Sequence, residues 1–407
     1  MGMKEIVKAA FFTPTKDGWG LPLGFEAGPG TAKSSMIEAM SEACGMHTVV
    51  LAPGERGEGA FGAVPVPEKV RLMLKGNSET DTEKAFEEVT RLRYPAPEWV
   101  DEFTNGRGVL FLDELTTAPP ALQPPLLGLF LARRIGGSRL PVGVRPIAAY
   151  NAPEDAAAGY DIPKPVANRF GHIKWDAGSV DDFCDHMMNV GAGLRDDKAQ
   201  LMLDPAKEEA RVLAAWPVAF SLAKGVTLSF LKKFPNKLHV EPKASDPAAS
   251  RAWASRRTWE FCMRAQAAAT IHGLSEVDRD TLICAFVGVG IGTEFMAYVR
   301  EQDMPDPIKI LDGHEKFTLD PTRLDRTIAV LQACASIVVP KDAVQRDDRA
   351  RRLLVVLQEV VESGRKDMAF GPARQLAKAG FVRLPEFRPI LAKLNKVMEA
   401  AGIQASA

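Results

Sequence analysis

The chain has 407 residues, of which 46% are hydrophobic and 25% are charged, and its formal net charge at pH 7 is −1. A length of this order predicts two or three domains, and the composition is that of an ordinary globular protein. Because a dedicated polyanion binder usually carries a basic excess, the near-zero net charge argues against that class, and it does not suggest nucleic acid as a partner.

The first element with a chemical signature is a glycine-rich turn that follows the apolar residues 21–25 and opens an amphipathic run. It reads Glu26-Ala27-Gly28-Pro29-Gly30-Thr31-Ala32-Lys33-Ser34-Ser35. Backbone N–H groups of such a turn, together with those of the new helix, form a nest for phosphate oxygens. Lys33 is then expected to reach the β- and γ-phosphates, and the Ser34 hydroxyl to bind Mg²⁺. Alone, the segment also fits an ordinary turn with a solvated lysine, since Ala27 and Ala32 replace the two glycines of G-x-x-x-x-G-K-[ST].

A second glycine-rich segment, residues 52–63, has four glycines around Phe61. This composition predicts a mobile loop with an apolar tip. We expect Phe61 to pack on the surface of its domain, with contact to a substrate as the less favoured alternative.

Residues 109–112 are apolar without interruption, and Asp113 and Glu114 follow them. Such a run predicts a strand buried on both faces of a parallel sheet, and ligands bind at the C-terminal ends of such strands. We expect Asp113 to orient Mg²⁺ or its waters and Glu114 to polarise an attacking water. A core strand that runs into an acidic loop is the alternative, but the phosphate loop upstream disfavours it. The carboxylate pair also favours an ATPase over a Ras-like GTPase.

Two further elements complete the pattern. The largely apolar strand 144–150 ends in Asn151, whose amide is expected to hold the attacking water against the γ-phosphate; a turn cap is the alternative. Arg169 is predicted on a short helix within 165–170, as an arginine finger that supplies charge to the transition state or, alternatively, as a surface salt-bridge residue. Between the carboxylate pair and Asn151, residues 135–140 predict a two-stranded ribbon with a glycine turn.

In this order, the four elements resemble the AAA+ ATPases and, within them, the MoxR group. Segments 28–34, 112–120, 148–153 and 168–170 carry the resemblance, which covers residues 10–175 well, 176–300 weakly and the last hundred residues not at all. It implies an α/β fold in which a P-loop parallel sheet with flanking helices is followed by an all-helical lid and a C-terminal helical region. It also implies ATP and Mg²⁺ as cofactors. The residues expected at the nucleotide are Gly28, Pro29, Gly30, Thr31, Ala32, Lys33, Ser34, Ser35 and Asp113, with Ser34 and Asp113 at the metal.

The predicted domains are a nucleotide-binding domain over 1–178, a helical lid over 179–303 and a C-terminal helical domain over 304–407. Periodicity predicts helices over 181–189, 205–216, 217–232, 258–271, 277–287, 324–338, 346–362 and 387–400. Residues 233–254 are predicted to be irregular. Ser255-Arg256-Arg257-Thr258-Trp259 resembles the sensor 2 segment at the start of a lid helix, which makes Arg257 the sensor arginine and Arg256 the second candidate.

These elements predict a ring. Lys33, Glu114, Asn151 and Arg257 can serve one nucleotide in cis, whereas Arg169, as a finger, has to reach a neighbour's site, and a head-to-tail contact of this kind can close into a cycle. The resemblance implies a hexamer and a partner that carries a von Willebrand A domain. The predicted function is therefore ATP-driven remodelling of a partner protein. A nucleic-acid motor and a slowly hydrolysing, nucleotide-gated scaffold remain alternatives, although the Asp113–Glu114 pair argues against the scaffold.

The remaining features concern location and redox state. The N-terminus has no apolar core for export, and no uninterrupted run of about 18 apolar residues occurs. The five cysteines are scattered without a C-x-x-C pair, and the six histidines have no metal-ligand spacing. We therefore expect a cytoplasmic protein with buried, reduced thiols.

Overall fold

The computed structural model describes residues 2–400 except 29, 57, 63, 74–85, 152–159, 176–179, 181–183, 185–187, 189–202, 244, 302–304, 321–322, 341–342 and 344. The chain divides into two compact units. The sheet unit comprises Pro14–Pro205 and Pro242–Ala252, and the helical unit comprises Met1–Thr13, Ala206–Glu241 and Trp253–Ala407. Much of the predicted lid and all of the predicted C-terminal domain therefore fall in one unit, together with the first 13 residues. The three-domain division stays a prediction.

The sheet unit contains the described strands. They are β1 Leu23–Glu26, β2 Thr48–Leu51, β3 Val66–Met73, β4 Phe86–Arg93, β5 Arg107–Leu112, β6 Arg134–Ile135, β7 Ser138–Arg139, β8 Gly143–Tyr150 and β9 Gly171–Lys174. Five of them form one parallel sheet in the order β2-β5-β8-β1-β9. Every residue of β8 is buried, as are Gly108 to Leu112 of β5, as expected for strands covered on both faces.

The helices whose bounds the structure gives lie in both units. They are α1 Gly2–Phe11, α2 Lys33–Ala43, α3 Gln123–Ala132, α4 Lys164–Ala167, α5 Pro205–Lys233, α6 Arg256–His272, α7 Glu276–Val287, α8 Val289–Arg300, α9 Pro307–Asp312, α10 Leu324–Val338, α11 Arg346–Glu362, α12 Lys366–Lys378 and α13 Arg388–Ala400. Among these, α2, α3 and α4 belong to the sheet unit. The predicted fold class, a parallel sheet with flanking helices followed by a helical region, is confirmed.

Two antiparallel ribbons interrupt the sheet unit. The ribbon of β6 and β7 is the one predicted from the glycine turn. The longer ribbon of β3 and β4 was not predicted, because its strands are rich in charged residues and lack a clean apolar alternation. Cross-strand pairs such as Arg71 with Glu88 place opposite charges side by side, which supports the pairing. Residues 74–85, between these two strands, lie outside the described residues.

The helical unit corrects the prediction at Pro217. Two helices were predicted there, but α5 runs through this proline without a break. A proline in a helix interior removes a hydrogen bond and clashes with the preceding turn, which together cost about 3 kcal/mol, and packing on neighbouring helices compensates for this cost. Gly225 lies so close to α10 that a Cβ would come within 1.9 Å of the Ala329 side chain, and Ala219 and Ala223 pack with Ala267 of α6.

Among the described residues, α5 is also the one helix long and apolar enough to cross a membrane by length and composition. The sequence analysis did not select it, because Pro217 and Lys224 interrupt its apolar run. Within its unit, Ala219 and Ala223 of α5 pack against Ala267.

The remaining helices form two further packed groups in the helical unit. Helix α1 packs on α6 and α7, and helices α9 to α13 enclose an apolar core around Leu353, Leu357 and Phe387. The prediction missed α1, α8, α9 and α12. The predicted helix over 181–189 lies mostly outside the described residues.

Candidate nucleotide-binding site

The parallel sheet brings three loops to one edge. In the sheet order, β5, β8 and β1 are neighbours, and their last residues are Leu112, Tyr150 and Glu26. The loops that follow hold the carboxylate pair, Asn151 and the glycine-rich turn, respectively. The C-terminal edge of a parallel sheet is the usual ligand-binding edge of this fold class. The predicted site residues of three separate segments therefore meet in one place.

Lys33 is the centre of this cluster. Its side chain is buried, and its ammonium group donates hydrogen bonds to Ala27 O at 3.1 Å, to Gly28 O at 3.0 Å and to Asn151 Oδ1 at 3.2 Å. These contacts match the three donors of an ammonium group. Burial lowers the pKa of Lys33, and the nearby charges of Asp113 and Glu114 oppose that shift. A phosphate oxygen would replace the oxygens that Lys33 contacts here.

Ser34 and Asp113 also lie together. The Ser34 hydroxyl donates a hydrogen bond to Asp113 Oδ2, and the Glu114 backbone N–H donates to Asp113 Oδ1 at 2.9 Å. A hydroxyl and a carboxylate beside a phosphate-binding turn are the oxygen ligands that Mg²⁺ takes, with water and phosphate oxygens as the remaining ligands. The described residues contain no cluster of three or more His, Cys, Asp or Glu suited to a metal ion. The Ser34–Asp113 pair supplies the hydroxyl and carboxylate oxygens that Mg²⁺ bound together with a nucleotide would need.

Two residues of the site have a left-handed backbone although neither is glycine. Ala32 has φ 56° and ψ 27° just before α2, and Glu114 has φ 51° and ψ 45°. Left-handed backbone costs an L-residue roughly 1–2 kcal/mol. Ala32 stands at the second consensus glycine of the phosphate loop, so the backbone here keeps a glycine conformation without a glycine. Pro29 of the same turn lies outside the described residues.

Two hydrogen bonds hold the glycine-rich turn, one within the turn and one from Trp175. Thr31 Oγ1 donates to Gly28 O at 2.9 Å, and the indole N–H of Trp175 donates to Thr31 O at 3.1 Å. Trp175 follows β9, the strand beside β1, and its ring contacts that of Phe25 edge to face at 5.5 Å. No sequence pattern indicated Trp175, because only the adjacency of β9 and β1 brings it to the turn. Ser35, by contrast, is exposed in the first turn of α2.

Arg169 lies at the N-terminal edge of the sheet, where the parallel strands begin. Arg169 was predicted on a short helix, but helix α4 ends at Ala167 and Arg169 lies in the turn that follows it. The position of Arg169 follows from β9, which begins two residues later. Its first residue, Gly171, pairs with Leu23, the first residue of β1, so Arg169 lies beside the N-terminal ends of these strands. The phosphate loop follows Glu26, the last residue of β1. The three residue steps from Leu23 to Glu26 alone span about 10 Å, so β1 separates the Arg169 turn from the phosphate loop by at least this length. The Arg169 guanidinium donates to Pro165 O of its own turn.

Arg257 belongs to the helical unit, in the first turn of α6. Ser255 caps this helix in a capping box: its hydroxyl accepts from Thr258 N at 3.3 Å, and Thr258 Oγ1 accepts from Ser255 N at 2.8 Å. Arg257 is half-buried, and burial lowers its pKa, whereas Arg256 is exposed. The role of Arg257 at the nucleotide stays a prediction.

Phe61 is not at an exposed tip. It is fully buried in the core of the sheet unit, in a short 3₁₀ helix over Glu58–Phe61, and the Trp99 indole donates to Ala60 O at 2.7 Å. Burying the aromatic ring in the apolar core beneath the loop is more favourable than leaving it in water. Phe61 therefore packs, as favoured, but in the core of the sheet unit and not on its surface.

The structure also reveals polar pairs that sequence patterns did not indicate. Glu26 and Arg251 form a two-bond ion pair, with both N···O distances at 3.1 Å, directly before the phosphate loop. The Tyr150 hydroxyl contacts His172 Nδ1 at 2.6 Å. The partners in each pair are distant in the sequence, 225 and 22 residues apart respectively, so no local motif contains them.

We found no match for this chain among protein-family models or among curated proteins. Among solved structures, a protein named "putative ATPase" from Cytophaga hutchinsonii is similar to it with a TM-score of 0.46 and 14% sequence identity. The match covers 74% of this chain and 88% of that protein.

Proposed function

We propose that this protein is an ATPase that binds ATP with Mg²⁺ at the C-terminal edge of its parallel sheet. One observation carries the proposal: Lys33, the Ser34–Asp113 pair and Asn151 converge there from three separate segments. An ammonium, a hydroxyl–carboxylate pair and an amide are the groups that phosphoryl transfer needs around a nucleotide.

Each residue has a distinct task in this proposal. Lys33 exchanges its contacts with Ala27, Gly28 and Asn151 for phosphate oxygens. Ser34 and Asp113 hold Mg²⁺, which when bound neutralises charge on the phosphates. Glu114 is exposed beside this pair and is suited to orient and polarise the attacking water. Asn151, already within reach of Lys33, is suited to hold that water in line.

We extend the proposal to a ring. Arg169 lies at the opposite edge of the sheet from the phosphate loop, which supports a role at the site of an adjacent copy. An arginine supplied in trans stabilises the charge of the transition state. In such an assembly, the MoxR-like reading of the sequence favours a hexamer that remodels a protein partner, with a von Willebrand A domain protein as one candidate, in the cytoplasm.

The test of the ATPase proposal separates binding from hydrolysis. We expect Lys33→Ala to abolish tight ATP binding because the phosphate charge loses its cation. We expect Glu114→Gln to bind ATP and to lose turnover by about a hundredfold or more, the usual cost of removing a positioned catalytic group. Binding is measured with a fluorescent ATP analogue, and turnover by phosphate release.

The matched control is Lys366→Ala, which removes an exposed lysine of the helical unit and should leave both measurements unchanged. Wild-type turnover in Glu114→Gln would refute the role of the carboxylate. Unaltered ATP affinity in Lys33→Ala would refute the site itself.

A further inference from the structure

A buried aromatic cluster lies between the C-terminal edge of the sheet, which carries the phosphate loop, and the N-terminal edge, which carries Arg169. Tyr150, Phe170 and His172 pack together, with the Phe170 and His172 rings stacked at 4.5 Å and the Tyr150 and Phe170 ring centroids 6.1 Å apart. Gly24 of β1 makes room for it: a Cβ there would come within 2.4 Å of the Phe170 ring and 2.9 Å of the Tyr150 ring. The cluster thus fills a space that β1 leaves open.

A continuous chain of hydrogen bonds passes through this cluster. The Tyr150 hydroxyl contacts His172 Nδ1 at 2.6 Å, and His172 Nε2 contacts Ala167 O at 2.8 Å. A carbonyl oxygen can only accept, so Nε2 carries the proton and Nδ1 accepts from the Tyr150 hydroxyl. Burial lowers the pKa of His172 to about 4, so the ring stays neutral and keeps this arrangement near pH 7. Both ring nitrogens have partners.

The two ends of this chain are functional positions in the proposed ATPase. At one end, Tyr150 directly precedes Asn151, whose amide oxygen contacts Lys33. The Tyr150 carbonyl also accepts from Ala27 N at 3.1 Å, which ties this residue to the start of the phosphate loop. At the other end, Ala167 is the last residue of α4, two positions before Arg169. Three hydrogen bonds, together with the peptide link between Tyr150 and Asn151, therefore connect the Lys33 ammonium to the turn of Arg169.

We propose that Tyr150 and His172 are positioning residues that couple occupancy of the nucleotide site to the turn that carries Arg169. In a ring, this link would report the nucleotide state of one copy to the site of the next. The inference rests on the proposed ATPase function and adds its regulation. Neither side chain has to touch the nucleotide, because Tyr150 acts through Asn151 and His172 acts through the Ala167 carbonyl.

Hydrogen exchange with the full chain tests the coupling directly. In a Glu114→Gln background, which is expected to hold ATP without turnover, ATP should slow exchange in peptides covering 27–35 and also in those covering 165–173. Adding Tyr150→Phe removes one oxygen and keeps the ring. We expect ATP to protect 27–35 as before, while the protection of 165–173 is lost.

Three further variants complete the test. Tyr94→Phe, the same change at an exposed tyrosine, should alter neither response. His172→Leu should behave like Tyr150→Phe, and His172→Gln should retain part of the coupling, since an amide can both accept and donate. If His172→Leu does not fold, Tyr150→Phe decides alone. In turnover assays without Glu114→Gln, Tyr150→Phe should lower kcat and leave the KM for ATP unchanged.

The outcomes separate the two proposals. Protection of 165–173 that persists in Tyr150→Phe overturns the coupling and leaves the ATPase proposal standing. If ATP protects 27–35 but not 165–173 in Glu114→Gln itself, the coupling is likewise overturned and the ATPase proposal stands. The absence of protection at 27–35 overturns the nucleotide site, and the coupling with it.

Discussion

The two edges of the parallel sheet differ in what their side chains contact. At the C-terminal edge, Lys33 contacts Asn151 and Ser34 contacts Asp113, and these contacts join three segments of the chain. At the N-terminal edge, Arg169 reaches a backbone oxygen four residues away in its own turn. One edge assembles its chemistry within a single chain, while the other offers a cation whose proposed use lies in another copy. In the proposed ring, the active site would be complete only when the two edges of neighbouring copies meet.

The largest effect is expected from removing the proposed metal site at the C-terminal edge. Asp113→Ala, or chelation of Mg²⁺ in the unmodified protein, should reduce turnover by about a hundredfold or more, because the phosphate charge is no longer neutralised. The measurement is phosphate release with increasing Mg²⁺. Asp367→Ala, at an exposed aspartate of α12, is the control. Full activity of Asp113→Ala would show that the Ser34–Asp113 pair has no part in the reaction.

The sharpest test of the comparison mixes two inactive variants. Arg169→Ala should bind ATP and hydrolyse it poorly, and Glu114→Gln should do the same for a different reason. In a mixed ring, some interfaces pair an intact Glu114 with an intact Arg169 from the adjacent copy, so activity should recover in part. Recovery should increase with protein concentration, since it requires assembly. A mixture that stays inactive while subunits exchange would mean that Arg169 acts in cis or is structural.

A smaller effect is expected from the helical unit. Replacing Arg257 by alanine should lower ATP turnover more than replacing Arg256, because the half-buried guanidinium is the better placed of the two for a defined contact. Both variants are measured side by side over a range of ATP concentrations, and each serves as the control for the other. A larger loss in Arg256→Ala would move the sensor assignment by one residue. If both variants hydrolyse ATP at the wild-type rate, neither arginine is a sensor residue.

The smallest effect concerns the backbone of the phosphate loop. Ala32→Gly should stabilise the protein by at most about 1 kcal/mol, because glycine relieves the left-handed strain but gains entropy in the unfolded chain. Denaturant unfolding measures the difference. Ala27→Gly is the matched control, since Ala27 is not among the described residues with positive φ, and it should destabilise slightly. The opposite ranking would contradict the assigned strain.

The sequence by itself determined the parts of this protein whose signal is local. The phosphate-loop residues Gly28 to Ser34 and the apolar run before Asp113 are contiguous patterns. The first indicates a turn between a strand and a helix, and the second indicates a buried strand with polar groups at its C-terminal end. Once the strands are parallel, these ends have to share one edge, so the convergence of Lys33, Asp113 and Asn151 was predictable as well. Helical periodicity likewise predicted α6, α7, α10, α11 and α13 in the second half, although α8, α9 and α12 were missed.

Only the tertiary structure decided features that depend on partners distant in the sequence. Helix α5 passes through Pro217 because packing at Gly225 and Ala219 compensates, and Phe61 is buried because a core lies beneath its loop. The Tyr150–His172 contact exists because β8, β1 and β9 lie side by side. A contact between residues far apart in the chain leaves no periodic or local pattern in the sequence, because its free energy appears only when the strands have paired.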